Sequence, residues 1–359
     1  MDLERKENVA MKENMRFACM IHKGCSVIKE RAIPELAPNE VLVKNIACNI
    51  CTTDYGQWMG LREHQGYPMV GGHEGCGVVE KVGTEVQYCK PGDFVGINSY
   101  KGCGICGYCR KGEVSKCENP PKLMTKDGYL GEFGFSTHAV WEENAVIKMN
   151  PKLDPGCAGF LEPLATVIKG QKKLRLASFE TVVVIGGGTM GMLNALEARA
   201  RGARVIVSEL MEKKLALAKE LGFETVDSGK EDAVRRVKEL TDGKGADCVI
   251  VAVGVKGANK QSIDMVKNID GRILLFAAGY PAPPMDVDSN LLHYRRLELI
   301  GTYGADNEDF EDAANRLNQG MIDVSGLIEP VRYPLTKMQE AFQAASTPGM
   351  YRVCVECQK

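Results

Sequence analysis

The chain has 359 residues, of which 44% are hydrophobic and 26% charged, and its formal net charge is -2; this length fits two globular domains better than one. The balanced charge argues against a nucleic-acid or membrane-surface partner. Because no apolar run reaches the roughly 18–20 residues of a membrane span and the charged segment Met1–Arg16 lacks the apolar core of a signal peptide, we expect a cytoplasmic protein.

Short β-like runs broken by Gly, Pro and Asn dominate the chain from about Met15 to Asn150. This texture is typical of an antiparallel or barrel-like domain. The predicted strands are Glu40–Ile46, Gly77–Val82, Asp93–Ile97, His138–Val140 and Ala145–Lys148.

Strands and helices alternate from about Leu174 onward, which predicts a parallel sheet covered by helices on both faces. The predicted strands are Thr181–Ile185, Arg204–Val207, Cys248–Val253, Arg272–Ala277 and Glu298–Gly301. The predicted helices are Met190–Arg201, Leu210–Leu221 and Gly257–Ile269. The second helix stops before Gly222, a residue type that favours helix C-termini.

The tail after Gly304 resembles the first region more than the middle one. Its predicted elements are a helix at Glu308–Gln319, an extended run at Val331–Pro334, a helix at Met338–Ala345 and a final strand at Arg352–Glu356. We therefore predict a mostly-β domain formed by residues 1–165 and 304–359, into which a nucleotide-binding α/β domain of residues 166–303 is inserted.

A glycine-rich loop follows the first strand of the middle region and opens a helix. Gly186, Gly188 and Gly191 fit the pattern G-x-G-x-x-G in the strand–turn–helix context that a dinucleotide site requires. Glycines let the backbone approach a pyrophosphate, which the free N–H groups of the helix N-terminus bind. A glycine-rich turn without a ligand is the alternative.

The choice of dinucleotide rests on Glu209, at the end of the second strand of this region. An acid about 20 residues beyond the glycines can bind the adenosine ribose diol. Because a carboxylate there would repel the 2′-phosphate of NADP, we predict NAD as the cofactor. Met190 and Lys214 complete the predicted contacts of this region, and a solvent-facing glutamate is the alternative reading of Glu209.

Four cysteines lie close together within a lobe of about residues 101–118, at Cys103, Cys106, Cys109 and Cys117. Four thiolates at this spacing suit a closed tetrahedral zinc site, and because no coordination position stays open, the zinc would be structural. Two disulfides, free thiols and an iron–sulfur cluster are the alternatives.

Three further segments carry candidate ligands of a second, catalytic zinc: Cys51–Asp54, Gly71–Gly75 and Phe160–Leu164. They contain a thiol, an imidazole and carboxylates, all of which bind zinc, and a catalytic site keeps one position for water or substrate. An isolated Cys or His in a sheet domain is more often structural, so the prediction depends on the three segments converging.

With these motifs the chain resembles the zinc-containing medium-chain dehydrogenase/reductase family, which includes alcohol, sorbitol and threonine dehydrogenases. The resemblance covers nearly the whole chain and is most specific at Gly71–Gly75, at the cysteine lobe and at the glycine loop. It implies an α/β fold in which a GroES-like, mostly-β catalytic domain carries an inserted Rossmann domain, a doubly wound parallel sheet, with the active site in the cleft between them.

The resemblance implies that Cys51 and His73 bind the catalytic zinc. Glu162 matches the third ligand of the sorbitol dehydrogenases, and Cys157 is its weaker rival. Glu74 matches an acid that in some members also reaches the metal.

Three further roles follow from the same resemblance. Asp54 would hold the ligand histidine. Thr53 would hydrogen-bond the alcohol oxygen and pass on its proton. Arg352 would reach the cofactor phosphates, unless it is a surface charge.

Two positions depart from the family pattern. Gly56 stands where many relatives carry a histidine that continues the proton relay, and Gly304 lies near the position of an arginine in sorbitol dehydrogenases. Trp58, in contrast, matches an aromatic residue of the polyol enzymes.

The sequence thus favours a zinc- and NAD-dependent dehydrogenase that oxidises a secondary alcohol, diol or polyol-like substrate. We expect a homodimer or homotetramer, with the apolar run around Arg272–Tyr280 as an edge for the interface. Threonine or another charged hydroxy-compound is the alternative substrate, with Arg62, His64 or Arg295 facing the anion.

Two readings from other classes remain. A non-catalytic relative would bind NAD and the structural zinc only, and would tolerate loss of the catalytic ligands. A zinc ribbon that binds nucleic acid rests on the cysteines alone, in a chain without net positive charge.

Overall fold

The computed structural model describes residues 13–62, 66–122, 124, 125 and 127–359. Its strands are β1 (Asn14–His22), β2 (Cys25–Ala32), β3 (Glu40–Asn49), β4 (Glu74–Val82), β5 (Phe94–Ile97), β6 (His138–Glu142), β7 (Val146–Lys148), β8 (Thr181–Ile185), β9 (Arg204–Glu209), β10 (Glu224–Asp227), β11 (Cys248–Val251), β12 (Arg272–Leu275), β13 (Glu298–Gly301), β14 (Tyr333–Pro334) and β15 (Cys354–Glu356). Its α-helices are α1 (Thr52–Trp58), α2 (Pro155–Ala158), α3 (Leu161–Leu174), α4 (Thr189–Ala200), α5 (Glu212–Glu220), α6 (Ala233–Leu240), α7 (Lys256–Met265), α8 (Ser289–Arg295), α9 (Asn307–Asn318) and α10 (Met338–Ala345).

The middle region forms a parallel sheet in the order β10-β9-β8-β11-β12-β13. Counted along the chain this order is 3-2-1-4-5-6, the doubly wound arrangement that binds a dinucleotide where the strand order reverses. The β-branched residues of β8 alternate between two cores. Val182 and Val184 pack with α3, α4 and α9, whereas Val183 and Ile185 pack with α6 and α7. The predicted α/β class is therefore confirmed.

The second sheet joins both ends of the chain. Its order is β14-β15-β3-β4-β5-β7, and β6 also pairs with β3. The first half of β3 pairs with β6 and its second half with β15, both antiparallel. The tail thus returns to the sheet of the first region, as the discontinuous domain requires.

Helix α3 lies between the two sheets. It packs against β4 and β5 on one side and against β12 and β13 on the other, and also contacts α4 and α9. Pro163 in its first turn is tolerated there because the first N–H groups of a helix have no intrahelical acceptor. This helix carries Glu162 into the region between the sheets.

Two sequence-based expectations on the middle region are wrong. The run Arg272–Tyr280 does not supply a sheet edge, because β12 is flanked by β11 and by β13, and β13 is the outer strand. Helix α7 ends at Met265 instead of Ile269, because Val266 is extended (φ -72°, ψ 151°) and forms a parallel bridge with Ala246.

No helix within the described ranges combines the length and the apolar character that crossing a bilayer requires.

Candidate active site and metal centres

Three predicted ligands of the catalytic metal converge in the structure. The Cys51 sulfur, a His73 ring nitrogen and a Glu74 carboxylate oxygen all lie within 4.8 Å of one another. Cys51 precedes α1, and Glu74 opens β4 directly after His73. We refer to these three residues as the catalytic cluster.

Asp54 fastens the two segments of the catalytic cluster together. Its Oδ2 accepts the Cys51 N–H at 3.0 Å and its Oδ1 accepts the Gly72 N–H at 3.0 Å. The same Oδ1 lies 3.8 Å from His73 Nδ1, and the side chain is only 1% exposed. Asp54 therefore fixes the loop that carries His73 and lies near its ring, while its role in holding the ligand histidine stays a prediction.

Two glycines make this close packing possible. A Cβ on Gly71 would lie 2.6 Å from Asp54 Oδ1. Gly72 has a φ of +94°, and a Cβ there would lie 2.7 Å from the Phe135 backbone nitrogen. Residues with a side chain would therefore displace His73.

Arg352 pairs with Glu74 through both guanidinium branches. Nε lies 2.7 Å from Oε2 and Nη2 lies 2.6 Å from Oε1, with both side chains buried. Nη2 also lies 3.6 Å from the Cys51 sulfur and 3.5 Å from the Met190 sulfur. Arg352 is thus no surface charge: it joins the catalytic cluster to the first turn of α4.

The electrostatics of the catalytic cluster favour a cation. Burial alone would lower the pKa of His73, but Asp54 and Cys51 raise it, and the net shift is well upward. Burial also disfavours the charge on Arg352, whereas Glu74 and Cys51 favour it. The pKa of Arg352 is raised overall. Since one thiol, one imidazole and one carboxylate are also ligand types that zinc accepts, the residues fit a zinc ion.

Glu162 approaches the catalytic cluster from α3. Burial, reinforced by the Glu74 carboxylate, raises the pKa of Glu162 to about 7, against the opposing effect of His73. The Tyr100 phenol lies close enough to Glu162 to offset part of this rise in pKa. Glu162 is not one of the three residues whose ligand atoms lie within 4.8 Å, so its role as a ligand stays a prediction. Cys157 is packed at the edge of the core that includes α3, near Asp154 and Arg332.

Thr53 stands beside the catalytic cluster, its hydroxyl oxygen 3.8 Å from the Cys51 sulfur. That oxygen accepts a hydrogen bond from Arg62 Nη1 at 3.2 Å. The relay predicted through Thr53 therefore meets an arginine, which cannot take up a proton.

The cysteine lobe brings all four predicted ligands together. The sulfur atoms of Cys103, Cys106, Cys109 and Cys117 lie within 4.8 Å of one another, and all four are free thiols. Backbone N–H groups of Cys103, Cys106 and Cys109 point at neighbouring sulfurs at 3.2–3.5 Å. Hydrogen bonds from backbone N–H groups lower the pKa of Cys106 to about 6. The lobe therefore fits a second, closed zinc site.

The glycine loop adopts the geometry that a dinucleotide site needs. Gly186 has a φ of +101°, and a Cβ on Gly191 would overlap the Gly186 carbonyl oxygen. Gly188 precedes α4, whose N-terminus opens beside the carboxyl end of β8. The backbone is thus free to approach a pyrophosphate.

Glu209 ends β9 and lies under the glycine loop. Its carboxylate accepts N–H groups from Gly187 at 2.6 Å, Leu210 at 2.6 Å and Met211 at 2.9 Å. It is 7% exposed and does not face solvent freely. Lys214 Nζ lies 3.6 Å from where a Cβ on Gly188 would be. Glu209 and Lys214 therefore both border the predicted cofactor site.

The structure adds three residues that the sequence did not single out. Tyr100 lies beside Glu162, Glu132 is a half-buried acid near His73 and Asp54, and Arg62 lies over the Tyr280 ring. No motif marks them, because they come from loops that only the fold brings to the site.

Of the three residues proposed to face an anion, the structure describes Arg62 and Arg295 and places them apart. Arg62 lies at the site, whereas Arg295 is occupied by backbone carbonyls of residues 263–268. His64 lies outside the described residues. Trp58 stacks on Phe342 with ring centroids 5.7 Å apart, which fixes α1 against α10.

Comparison with known proteins agrees with this architecture. Residues 37–151 match the alcohol dehydrogenase GroES-like domain and residues 189–319 match the zinc-binding dehydrogenase model. An L-threonine 3-dehydrogenase of Pyrococcus abyssi is 32% identical over 329 residues, covering 87% of this chain and 89% of the relative. A D-arabitol-phosphate dehydrogenase of Enterococcus avium is 28% identical over 330 residues, covering 90% and 92%.

Solved structures give the same result. A protein from Sinorhizobium meliloti, provisionally described as a zinc-binding dehydrogenase and bound to NADP, superposes with a TM-score of 0.86 at 27% identity. It covers 96% of this chain and 99% of its own. The alcohol dehydrogenase TADH from Thermus sp. ATN1 has a TM-score of 0.82 at 25% identity, covering 95% and 99%. The chain therefore belongs to the zinc-containing medium-chain dehydrogenase/reductase family.

Proposed function

We propose that the protein is a zinc- and NAD-dependent dehydrogenase that oxidises a secondary alcohol, diol or polyol-like compound to the carbonyl. One observation carries the proposal. Arg352 contacts both the Cys51 sulfur and the Met190 sulfur, so the catalytic cluster lies against the first turn of the helix that would receive the dinucleotide. A metal centre and a hydride acceptor would therefore share one cleft.

Zinc, when bound, supplies Lewis acidity that lowers the pKa of an alcohol oxygen, and bound NAD supplies the hydride acceptor. The residues of the chain provide position and charge. Cys51 and His73, held by Asp54, offer the metal ligands. Because Thr53 Oγ1 accepts a hydrogen bond from Arg62, the hydroxyl hydrogen of Thr53 is free to face a substrate oxygen.

The proton of the alcohol must leave by a route other than the one through a histidine at position 56. Gly56 carries no acid or base, and Arg62 cannot accept a proton. We therefore infer that water next to Thr53, which is half-buried and so within reach of solvent, takes the proton.

The NAD assignment is supported by the position of Glu209 at the end of β9 under the glycine loop. A carboxylate at this point can bind a ribose diol and repels a 2′-phosphate. The NADP of the Sinorhizobium meliloti protein belongs to that relative, so the choice needs a direct test.

The substrate proposal draws on both the site and the relatives. Glu162 favours polyols or diols over simple primary alcohols, as in the sorbitol type. Sorbitol itself is disfavoured, because Gly304 (φ +66°) leaves no space for the arginine expected near it: a Cβ there would lie 2.9 Å from Tyr100 Cε1.

A substrate panel with a metal-ligand variant tests the proposal. Secondary alcohols, diols, polyols, threonine and hydroxy acids are assayed with NAD and with NADP, using wild type and His73→Ala. We expect NAD-linked turnover that His73→Ala abolishes. Turnover of ethanol far above every polyol and diol would contradict the substrate class. No turnover, together with about one zinc per chain held by the cysteine lobe, would favour the non-catalytic relative.

A further inference from the structure

Arg62 occupies a place beside the reacting centre that a simple alcohol does not require. Its Nη1 donates to Thr53 Oγ1 at 3.2 Å, and that oxygen lies 3.8 Å from the Cys51 sulfur. The Thr53 hydroxyl group therefore lies between the positive charge of Arg62 and the catalytic cluster.

Gly56 and Arg62 are spatially linked. A Cβ on Gly56 would lie 3.3 Å from Arg62 Cδ and 3.6 Å from its Cγ, so the stem of the arginine runs across the glycine. A side chain longer than a methyl group at position 56 would compete with the stem of Arg62 for this space. Glycine in α1 thus leaves room for the arginine beside Thr53.

The guanidinium lacks an anionic partner among the described residues. Its Cζ lies over the Tyr280 ring, 4.8 Å from the ring centroid. Its Nε is buried and has no hydrogen-bond acceptor within the described ranges. Arg352, the buried arginine of the site, is in contrast paired with Glu74 through two hydrogen bonds. A partly buried cation with a free donor is stabilised by an anion that arrives with the ligand.

We propose that Arg62 binds an anionic group of the substrate, a phosphate or a carboxylate, placed a few bonds from the carbon that is oxidised. The proposal rests on the dehydrogenase function proposed above and narrows its substrate to anionic hydroxy-compounds. Arginine suits this role because its planar fork binds two oxygens of one carboxylate or phosphate at once. Tyr280, from the loop after β12, would keep the fork in place.

Matched substrate pairs test the role of Arg62. Each pair joins a neutral polyol with its phosphomonoester, or a diol with the hydroxy acid of the same length. We expect wild type to favour the anionic member by kcat/KM. In Arg62→Gln, the ratio of kcat/KM for the anionic substrate to kcat/KM for the neutral one should fall about 10- to 100-fold, because a charge-assisted hydrogen bond is lost. Arg62→Lys should restore part of the ratio.

Two controls separate this role from general damage to the protein. Arg199→Gln removes an arginine that lies over Phe223 on the outer face of α4, and it should leave the ratio unchanged. Inorganic phosphate, measured by calorimetric titration of the zinc-loaded protein, should bind wild type more tightly than Arg62→Gln by a similar factor.

The possible outcomes are distinct. Preference for the phosphomonoester identifies a phosphate, and preference for the hydroxy acid identifies a carboxylate. Equal turnover of neutral and anionic members, or an equal loss for both in Arg62→Gln, overturns the inference while the dehydrogenase function stands. Arg62-dependent phosphate binding without turnover of any alcohol supports the anion site and contradicts the proposed function.

Discussion

Arg352 holds both carboxylate oxygens of Glu74, at 2.6 and 2.7 Å, although the two residues are far apart in the sequence. Glu74 opens β4, and Arg352 lies just before β15, the last strand of the chain. The pair therefore links two strands of the sheet that joins both ends of the chain. The Glu74 carboxylate thus pairs with Arg352 and also lies within 4.8 Å of the Cys51 sulfur and a His73 nitrogen.

Breaking this pair should destabilise the protein. Arg352→Gln leaves the buried Glu74 carboxylate without its counter-ion, which costs about 3–5 kcal/mol for a buried pair. Chemical denaturation measures the change in the free energy of unfolding. The double variant Glu74→Gln/Arg352→Gln removes both charges and should recover part of the loss. If Arg352→Gln unfolds with the same free energy as the wild type, the pair does not contribute to stability.

A side chain at position 72 should disturb the histidine ligand. Gly72→Ala combines a φ of +94° with a Cβ that lies 2.7 Å from backbone, whereas Gly92→Ala has the same φ of +94° with open space around the Cβ. We expect both to lose stability, and Gly72→Ala to lose at least about 1 kcal/mol more, since close packing adds to the strain. Thermal unfolding and zinc content measure the difference. Equal losses would mean that the packing around Gly72 tolerates a methyl group.

The cofactor preference should depend on Glu209. Glu209→Ala removes the predicted partner of the ribose diol, so kcat/KM with NAD should fall about 10- to 100-fold and the NAD/NADP ratio should shift toward NADP. Glu212→Ala, an exposed acid in the first turn of α5, is the matched control and should leave the ratio as it is. A Glu209→Ala protein with an unchanged ratio would remove the basis for choosing NAD.

The cysteine lobe should account for one metal ion. Cys106→Ser breaks the set of four thiols, so we expect the zinc content to fall from two ions to one per chain and the Tm to drop, because a structural zinc contributes folding energy. Cys25→Ser alters a half-buried thiol in β2, outside both clusters, and is the control. Iron and visible colour in the wild-type protein would instead indicate a cluster.

The residues that local patterns mark were predicted well. The glycine loop, the strand ending at Glu209 and the four cysteines are contiguous signals, and the structure places each as expected. Cys51 and His73 could be assigned as ligands only from the family resemblance, because nothing in their own segments shows that they lie close together.

Some features of the site depend on tertiary contacts that the sequence does not show. The sequence names Arg62 only as one of three candidates to face an anion, and the fold shows that it lies across Gly56 and beside Thr53. Tyr100 carries no sequence signal, because its role depends on packing against Gly304. The apolar run at Arg272–Tyr280 does not form the edge of the sheet, because β13 lies outside β12 and a run of apolar residues does not reveal this. Where copies of the chain would meet stays a prediction. The sequence marks α3 only through the ligand segment that contains Glu162. The apolar residues of α3 contact both sheets, so they do not form the single apolar face that identifies a surface helix in a sequence.

An anomalous zinc map from crystals grown with NAD tests the central claim most directly. The account predicts two peaks per chain, one among the four lobe sulfurs and one within about 2.0–2.3 Å of Cys51 Sγ and a His73 nitrogen, beside the nicotinamide ring. A single peak in the lobe, with no metal between Cys51 and His73, would contradict it.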